Sequence, residues 1–242
     1  MSDPKLTQFK ALSFDVYGTL IDWETPVHDA IAPIVRRAGK NWSRKDILTI
    51  YTDVETDIQA QNPTALYPTV LADTYYAIAK RLDLPETPEL KEASVLFGNS
   101  IPDWKPFPDT IDALRRLSKH YKLVVLSNVD RNSFSFTQKI LEQGFQFDLI
   151  LTAQDIGSYK PDLANFEYML NAVKEKYGIE KHEVIVTANS RKHDHKPANS
   201  LGIASSWIKR EGSVMGQSGN ATYIWDFETL GEMADAADNE GK

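Results

Sequence analysis

The chain contains no cysteine among its 242 residues. This excludes disulfide bonds, thiolate nucleophiles and zinc sites with cysteine ligands. Positive charge is also in short supply: 27 lysine and arginine residues against 34 aspartate and glutamate residues give a net charge of −7. A protein that binds nucleic acid needs a basic surplus to contact phosphates, so we expect no nucleic-acid partner.

Long apolar runs are absent as well. None approaches the roughly 20 residues that a membrane-spanning helix needs, and the first five residues lack the apolar segment of a secretory signal. We therefore expect a cytoplasmic protein with no membrane partner. Hydrophobic residues make up 42% and charged residues 25% of the chain, as in ordinary globular proteins. A chain of this length can form one large domain or two modest ones.

Short apolar runs that end on polar residues alternate with helical patterns. The predicted strands cover residues 10–15, 122–127, 147–152, 183–187 and 204–209. The predicted helices between them cover residues 110–119, 133–143, 162–176 and 196–201. This alternation predicts an α/β fold with a doubly wound parallel sheet. The end of the chain after Ala234 is polar and acidic, and its last residues are predicted to be frayed.

The segment from residue 23 to residue 104 interrupts this alternation. It shows four helical patterns, at residues 26–38, 43–61, 69–81 and 87–97, with prolines such as Pro63 and Pro85 between them. A helical insertion just after the first strand would form a cap above the carboxyl edge of the sheet. We therefore predict a Rossmann-like core domain of residues 1–22 and 105–242, and a helical cap domain of residues 23–104.

The apolar run of the first predicted strand ends on Asp15, and a Gly18-Thr19 turn follows. Open α/β sheets bind ligands at the carboxyl ends of their strands, where a carboxylate can act as a nucleophile. Gly18 allows the backbone to turn tightly. An enzyme that transfers phosphate needs a second acid near position 17 to protonate the leaving oxygen. Tyr17 does not suit that task near neutral pH, which favours a leaving group that needs no proton, such as halide.

Three further polar motifs follow predicted strands or open a helix. They are Leu126-Ser127-Asn128, Tyr159-Lys160-Pro161-Asp162, and Thr187-Ala188-Asn189 with Asp194. In order and spacing, these motifs and the Asp15 motif resemble the haloacid dehalogenase superfamily over nearly the whole chain. Tyr17 and the run at residues 158–162 resemble the L-2-haloacid dehalogenases in particular. This resemblance implies the same core fold with a cap inserted after the first strand.

The resemblance also implies catalytic roles for four residues. Asp15 would be the nucleophile, and Thr19 would hold its carboxylate in the geometry of attack. Lys160 would keep Asp15 ionised despite burial. Asp194 would orient Lys160 or activate the water that hydrolyses the covalent intermediate. Each residue also has a purely structural interpretation, such as a turn hydroxyl for Thr19 or a surface lysine for Lys160.

Four more residues are predicted to bind substrate: Tyr17, Ser127, Asn128 and Asn189. Ser127 and Asn128 can donate hydrogen bonds to a substrate carboxylate, and the Asn128 amide can also face a departing halide. The structural alternative for Asn128 is a helix cap. His193 and His195 flank Asp194, but the sequence contains no HExxH or similar metal-binding spacing, so we predict no metal site.

The implied reaction is hydrolytic dehalogenation of short L-2-haloalkanoic acids to D-2-hydroxy acids through an aspartyl ester. It needs a small-molecule substrate and no cofactor, and relatives suggest a homodimer. One alternative is a magnesium-dependent phosphatase in which Asp15, the Tyr17 carbonyl and Asp194 ligate Mg²⁺. Another is a non-catalytic binding protein with the same fold.

The sequence departs from the dehalogenase pattern in the predicted cap. Residues 48–55 contain no arginine to receive halide, and Phe166 replaces a tyrosine six residues after Lys160. Asn189 also precedes Asp194 by five residues instead of three. We therefore predict a non-standard halide site that relies on Asn128.

Overall fold

The computed structural model describes residues 4–62 and 64–241. Residues 1–3 and 242 of the predicted core domain, and the predicted helix breaker Pro63, lie outside the described residues. The strands are β1 (Ala11–Phe14), β2 (Lys122–Ser127), β3 (Leu149–Thr152), β4 (Val184–Ala188), β5 (Ala204–Ile208) and β6 (Trp225–Phe227). They form a single six-stranded sheet in the order β3-β2-β1-β4-β5-β6, and every neighbouring pair is parallel.

The central strand β1 is buried along its whole length and pairs with β2 on one side and β4 on the other. A parallel strand covered on both faces needs a continuous apolar run, which is the pattern that the sequence shows here. The parallel α/β fold is therefore confirmed, and the five predicted strands are found with ends within two residues of the predicted ones. The edge strand β6 was not predicted.

Four helices lie within residues 23–104, after β1: α1 (Glu24–Arg37), α2 (Arg44–Gln61), α3 (Tyr67–Arg81) and α4 (Pro88–Gly98). The start of α2 is set by Ser43, whose hydroxyl accepts a hydrogen bond from the Asp46 backbone N–H, while the Asp46 carboxylate accepts one from the Ser43 N–H. This reciprocal capping satisfies two donors that a helix start otherwise leaves free. Helix α3 packs against both α2 and α4.

The remaining helices flank the sheet. They are α5 (Thr110–Leu117), α6 (Arg131–Leu141), the short α7 (Ala153–Ile156), α8 (Leu163–Tyr177), α9 (Lys196–Leu201) and α10 (Leu230–Glu240). The acidic segment after Ala234 belongs to α10, which continues to Glu240 and buries a stripe that includes Met233 and Ala237. Of the last residues that are predicted to fray, Lys242 lies outside the described residues. The polar face of α10 is also held, since Arg116 Nη2 lies 2.7 Å from Asp238 Oδ2.

Apolar side chains form two clusters, one on each side of the sheet. The larger cluster runs from the sheet into the helices before β2, joining Leu12 and Leu114 to Leu48 and Leu71. This continuous packing places α2 above the carboxyl ends of the strands, where it forms one wall of a cavity. Among the helices of residues 4–62 and 64–241, none is both long and apolar enough to cross a membrane.

Candidate active site

Asp15 directly follows β1, at the carboxyl edge of the sheet. Its backbone N–H still donates to the Thr187 carbonyl of β4 at 3.2 Å, so the sheet holds its main chain in place. Gly18 then turns the chain with a φ of +101°, and a Cβ there would lie 2.9 Å from the Trp23 indole nitrogen. Both the backbone angle and the close approach therefore require glycine, as the sequence predicted.

Lys160 lies between two carboxylates. Its Nζ is 2.9 Å from Asp15 Oδ1 and 2.7 Å from Asp194 Oδ1. The side chains of Lys160 and Asp194 are each 2% exposed, whereas that of Asp15 is 12% exposed. Asp15 is thus the member of this triad that a substrate can reach. The three residues follow β1, β3 and β4 in the chain, and the fold brings them together at one edge of the sheet.

The electrostatics of the triad follow from its burial. Burial works to lower the pKa of Lys160, but the carboxylates of Asp15 and Asp194 more than offset this and raise it. Burial raises the pKa of Asp194 from 3.8 to about 7, against the opposing effect of Lys160. Asp194 Oδ2 has no hydrogen-bond partner in the described chain. Asp194 is therefore suited to accept a proton from water near neutral pH.

Thr19 connects the nucleophile candidate to the loop after β4. Its hydroxyl donates to Asp15 Oδ2 at 2.7 Å and accepts from the Asn189 backbone N–H at 2.8 Å. This geometry is compatible with both the catalytic and the structural interpretation of this threonine. Both oxygens of Asp15 are fixed, one by Thr19 and one by Lys160, which limits rotation of the carboxylate.

The Asn189 side chain is built into the core. Its Nδ2 donates to the carbonyls of Ile208 and Lys209, each at 2.8 Å, and its Oδ1 accepts from the Ser213 hydroxyl at 3.0 Å. Both amide hydrogens are thereby used, so none is left for a substrate. Asn189 lines the cavity, so its predicted substrate contact stays a prediction, while its backbone N–H holds Thr19.

Asn128 is engaged in a similar way. Its Oδ1 accepts from the Lys160 backbone N–H at 2.7 Å, and its Nδ2 donates to the Lys160 carbonyl at 2.9 Å. The helix-cap interpretation is wrong, because Asp130 caps α6. One amide hydrogen of Asn128 remains for an anion, and the predicted halide contact depends on it. By contrast, the buried Ser127 hydroxyl lines the cavity and has no partner among the described residues.

Tyr17 cannot act as an acid here. Its hydroxyl lies 2.9 Å from the Thr137 hydroxyl, and burial raises its pKa well above the usual range. Its ring packs against Trp104 in an edge-to-face arrangement, with centroids 5.6 Å apart. The phenol therefore stays neutral, and the ring contributes an apolar surface beside Asp15.

The two histidines beside Asp194 point to different partners. His195 Nε2 lies 2.9 Å from the Ala188 carbonyl, whereas His193 Nδ1 lies 3.3 Å from the Ser190 hydroxyl. Burial lowers the pKa of each to about 4. In the part of the chain that the structure describes, no group of three or more histidine, aspartate or glutamate side chains is placed to hold a metal ion.

The triad opens into a cavity of about 660 Å³. Its walls include α2 and the loop at residues 214–218, in addition to the strand ends. Two lysines that the sequence analysis missed line it, Lys45 on α2 and Lys192 in the π-helical turn that carries Asp194. Neither has a carboxylate within 4 Å among the described residues. Residues 48–55 contain no arginine, but Lys45 places a cation one turn earlier on the same helix.

The loop at residues 214–218 is held by the start of α1. The buried Glu24 carboxylate accepts from the backbone N–H groups of Val214 and Met215, at 3.0 and 2.9 Å. Gly216 then passes so close to Asn189 that a Cβ would lie 1.6 Å from its Oδ1.

Lys45 shares one helix face with other cavity residues at spacings of three and four, a signal present in the sequence. The loop has no such signal, because its position depends on contacts distant in sequence.

We expect activity to depend on the ionisation of Asp194. A base works only when deprotonated, so kcat/KM should rise as the pH increases through about 7, the pKa of Asp194. His193 and His195 are already neutral in this range. A kcat/KM profile between pH 5 and 9 tests this, and Asp194→Asn should remove the rise along with most of the activity. A rise that persisted in the residual activity of Asp194→Asn would assign the titration to another group.

Comparison with known proteins agrees with this geometry. The model of the haloacid dehalogenase-like hydrolase family matches residues 9–192. No curated protein is significantly similar in sequence. Solved structures are similar in fold, among them the defluorinating L-2-haloacid dehalogenase Rha0230, at 16% identity and a TM-score of 0.74, with 97% of this chain and 98% of that one covered.

Two further structures show the range of these similarities. The L-2-haloacid dehalogenase of Xanthobacter autotrophicus is 17% identical, with a TM-score of 0.71 and coverage of 95% and 98%. The putative HAD-hydrolase YfnB of Bacillus subtilis, a structure bound to magnesium, is 15% identical, with a TM-score of 0.69 and coverage of 95% and 99%. At such identities the likeness establishes the shared fold.

Proposed function

Because the chain belongs to the haloacid dehalogenase-like hydrolase family, we propose that it hydrolyses the carbon–halogen bond of short L-2-haloalkanoic acids. The observation that carries this proposal is the triad of Asp15, Lys160 and Asp194 beside a neutral, hydrogen-bonded Tyr17. A nucleophile is in place, but no acid is present at position 17 to protonate a leaving oxygen. Halide leaves without a proton. The similar structures described as L-2-haloacid dehalogenases support the same reaction.

The proposed reaction has two steps. An oxygen of Asp15 attacks the carbon that bears the halogen, and halide leaves with the bonding electrons. This inverts the carbon and gives an aspartyl ester. Water then attacks the carbonyl carbon of the ester while Asp194 accepts one of its protons. The bond between that carbon and the ester oxygen breaks, Asp194 gives the proton to the departing alkoxide to release a D-2-hydroxy acid, and Asp15 is restored as a carboxylate. The second proton of the water passes to solvent.

Lys160 has a part in both steps. It stabilises the Asp15 carboxylate before attack, and it holds Asp194 through the second hydrogen bond. We propose the free lysines Lys45 and Lys192, together with the remaining Asn128 hydrogen, as candidate donors to the substrate carboxylate and halide. This extends the predicted halide site that relies on Asn128, since one amide hydrogen and the amide oxygen of that side chain are bonded to the Lys160 backbone.

The magnesium-dependent phosphatase is the less favoured alternative. Its ligands would be Asp15, the Tyr17 carbonyl and Asp194, but Lys160 takes one oxygen of each carboxylate and Thr19 takes the second oxygen of Asp15. Asp194 Oδ2 is then the single free carboxylate oxygen of the triad. Mg²⁺ prefers an octahedral set of oxygen ligands, which these residues fit poorly. We therefore propose that the reaction needs no metal.

We expect halide release from L-2-chloropropionate and L-2-chlorobutyrate, with no release from the D-isomers. EDTA should leave the rate unchanged, because the ammonium of Lys160 supplies the positive charge beside Asp15. A chloride-release assay with and without EDTA measures this, and p-nitrophenyl phosphate with added Mg²⁺ serves as the comparison substrate. Phosphate release that EDTA abolishes and Mg²⁺ restores would establish the phosphatase. Inactivity on both substrate types would favour a non-catalytic binding protein.

A further inference from the structure

We propose that the α2 wall of the cavity binds an ammonium group, and that the preferred substrate is therefore longer than a short haloalkanoic acid and ends in a cation. The inference relies on the proposed function only in placing the reacting carbon at Asp15. Its evidence comes from residues of α2 that line the cavity, none of which belongs to the triad.

The size of the cavity gives the first indication. About 660 Å³ is within the range of sites that hold drug-sized ligands. A three-carbon haloacid at Asp15 fills a small part of that space. At the reacting end, the buried Ser127 hydroxyl has no partner among the described residues, which is expected of a group that awaits a ligand.

The chemistry of α2 gives the second indication of an ammonium site. One face of the helix turns a polar stripe toward the cavity, made of Lys45, Thr49, Thr52, Thr56 and Gln59. The Thr52 hydroxyl donates to the carbonyls of Leu48 and Thr49, and the Thr56 hydroxyl donates to that of Thr52. Each has thereby used its one hydrogen, so that only lone pairs remain to meet a ligand. This part of the wall accepts hydrogen bonds and favours a ligand that donates them.

Glu55 adds charge to this accepting surface. The half-buried side chain lines the cavity, and its Oε1 accepts from the hydroxyls of Tyr51 and Tyr67, at 3.0 and 2.8 Å. Within the described ranges, its Oε2 has no hydrogen-bond partner and no lysine, arginine or histidine nitrogen lies within 4 Å. Asp53, a second carboxylate of α2 that lines the cavity, also has no ion pair among the described residues. A partly buried carboxylate without a cation is costly, and a bound ammonium would offset that cost.

The cations of the cavity are placed elsewhere. Lys45 is ten residues from Glu55, which corresponds to about 15 Å along a helix. Lys192 belongs to the turn that holds Asp194. Opposite charges therefore lie in different parts of the cavity. The carboxylates are on the second half of α2, and the lysines are at the start of α2 and beside the triad. A substrate with a carboxylate at its reacting end and an ammonium at its far end matches this arrangement.

Binding of unhalogenated ligands tests the inference without any turnover. Isothermal titration calorimetry of the wild-type protein should show 6-aminohexanoate binding about tenfold more tightly than heptanoate, in which a methyl group replaces the ammonium; this is the size expected for one hydrogen bond to a charged group. Heptanedioate, with a second carboxylate, should bind most weakly. Glu55→Gln should abolish the preference, since glutamine can still accept from both tyrosines. Glu92→Gln, which removes an exposed charge from α4, should retain it.

Equal affinity of wild type for 6-aminohexanoate and heptanoate would overturn the inference, as would a preference that survives in Glu55→Gln. Halide release from L-6-amino-2-chlorohexanoate and L-2-chloroheptanoate distinguishes a failure of the ammonium site from a failure of the proposed dehalogenation. A clear ammonium preference in binding with no halide release from either compound would reject dehalogenation alone. Release at equal kcat/KM from both, with equal binding, would reject the ammonium site alone.

Discussion

Replacing Asp15 with asparagine is expected to lower kcat by about 10⁴-fold or more, the range found when a covalent nucleophile is removed. The amide cannot form the ester, because its nitrogen and oxygen are poor nucleophiles. The fold should persist, since the asparagine side chain would keep a carbonyl oxygen for the Thr19 or the Lys160 hydrogen bond. Halide release measures the loss, and a circular dichroism spectrum checks the fold. Asp73→Asn, an exposed change on α3, is the matched control and should retain full activity.

Isotope labelling gives the same prediction a second readout. In ¹⁸O-water, one turnover should leave the product unlabelled and place the label in the Asp15 carboxylate, because water attacks the ester carbonyl carbon. Later turnovers should then transfer this oxygen to the product. Mass spectrometry of the peptide that contains Asp15 detects the label. Label in the product of the first turnover would show that water attacks the substrate directly, and covalent catalysis would be rejected.

Replacing Lys160 with methionine should be the most destabilising single change in the site. It leaves Asp15 and Asp194 facing each other without a cation, and Asp194 is buried with an exposed fraction of 2%. Removing one partner of a buried ion pair costs about 3–5 kcal/mol in the free energy of unfolding. Activity should fall by about 10²–10³-fold for the protein that remains folded, as when a preorganised charge is removed. Urea denaturation and halide release measure the two effects.

A double variant distinguishes the electrostatic cause from simple loss of packing. Lys160→Met combined with Asp194→Asn removes the buried charge together with its partner. It should recover about half or more of the lost free energy of unfolding, because the isolated buried carboxylate carries most of the cost. Additive destabilisation by the two changes would contradict this explanation and attribute the loss to packing. Activity should stay low in the double variant, since the proposed base is also gone.

The sequence predicts the sheet well because each buried parallel strand needs a continuous apolar run. The edge strand β6 escapes prediction because it has only three residues and packs less deeply. The helix α10 was not predicted for a related reason: small alanines in a polar segment carry its buried stripe. Asp15 could be identified because it follows a strand whose carboxyl end lies at the ligand-binding edge of the sheet. Lys160 and Asp194 were identified through the resemblance of their motifs to the haloacid dehalogenase superfamily.

Contacts that depend on the folded chain could not be predicted in the same way. The sequence identifies Asn128 and Asn189 as polar residues after strands, but it does not show that backbone groups occupy their amides. It also gives no indication that Glu24 would hold the loop at residues 214–218. The stripe on α2 was accessible from helical spacing alone. Its importance was missed because a polar helix face normally faces water.

The triad also bears on how the protein is made. Asp15 leaves the ribosome first, and its partner Lys160 follows 145 positions later. At the usual speed of translation this corresponds to a delay of roughly 7–30 s. Early in that interval the helices α1–α4 are complete and can pack on one another, whereas β1 lacks both of its neighbours until β2 is synthesised. The nascent chain thus has a local helical unit long before it has a catalytic centre, and Asp15 meets its counter-ion only once three of the six strands have been synthesised.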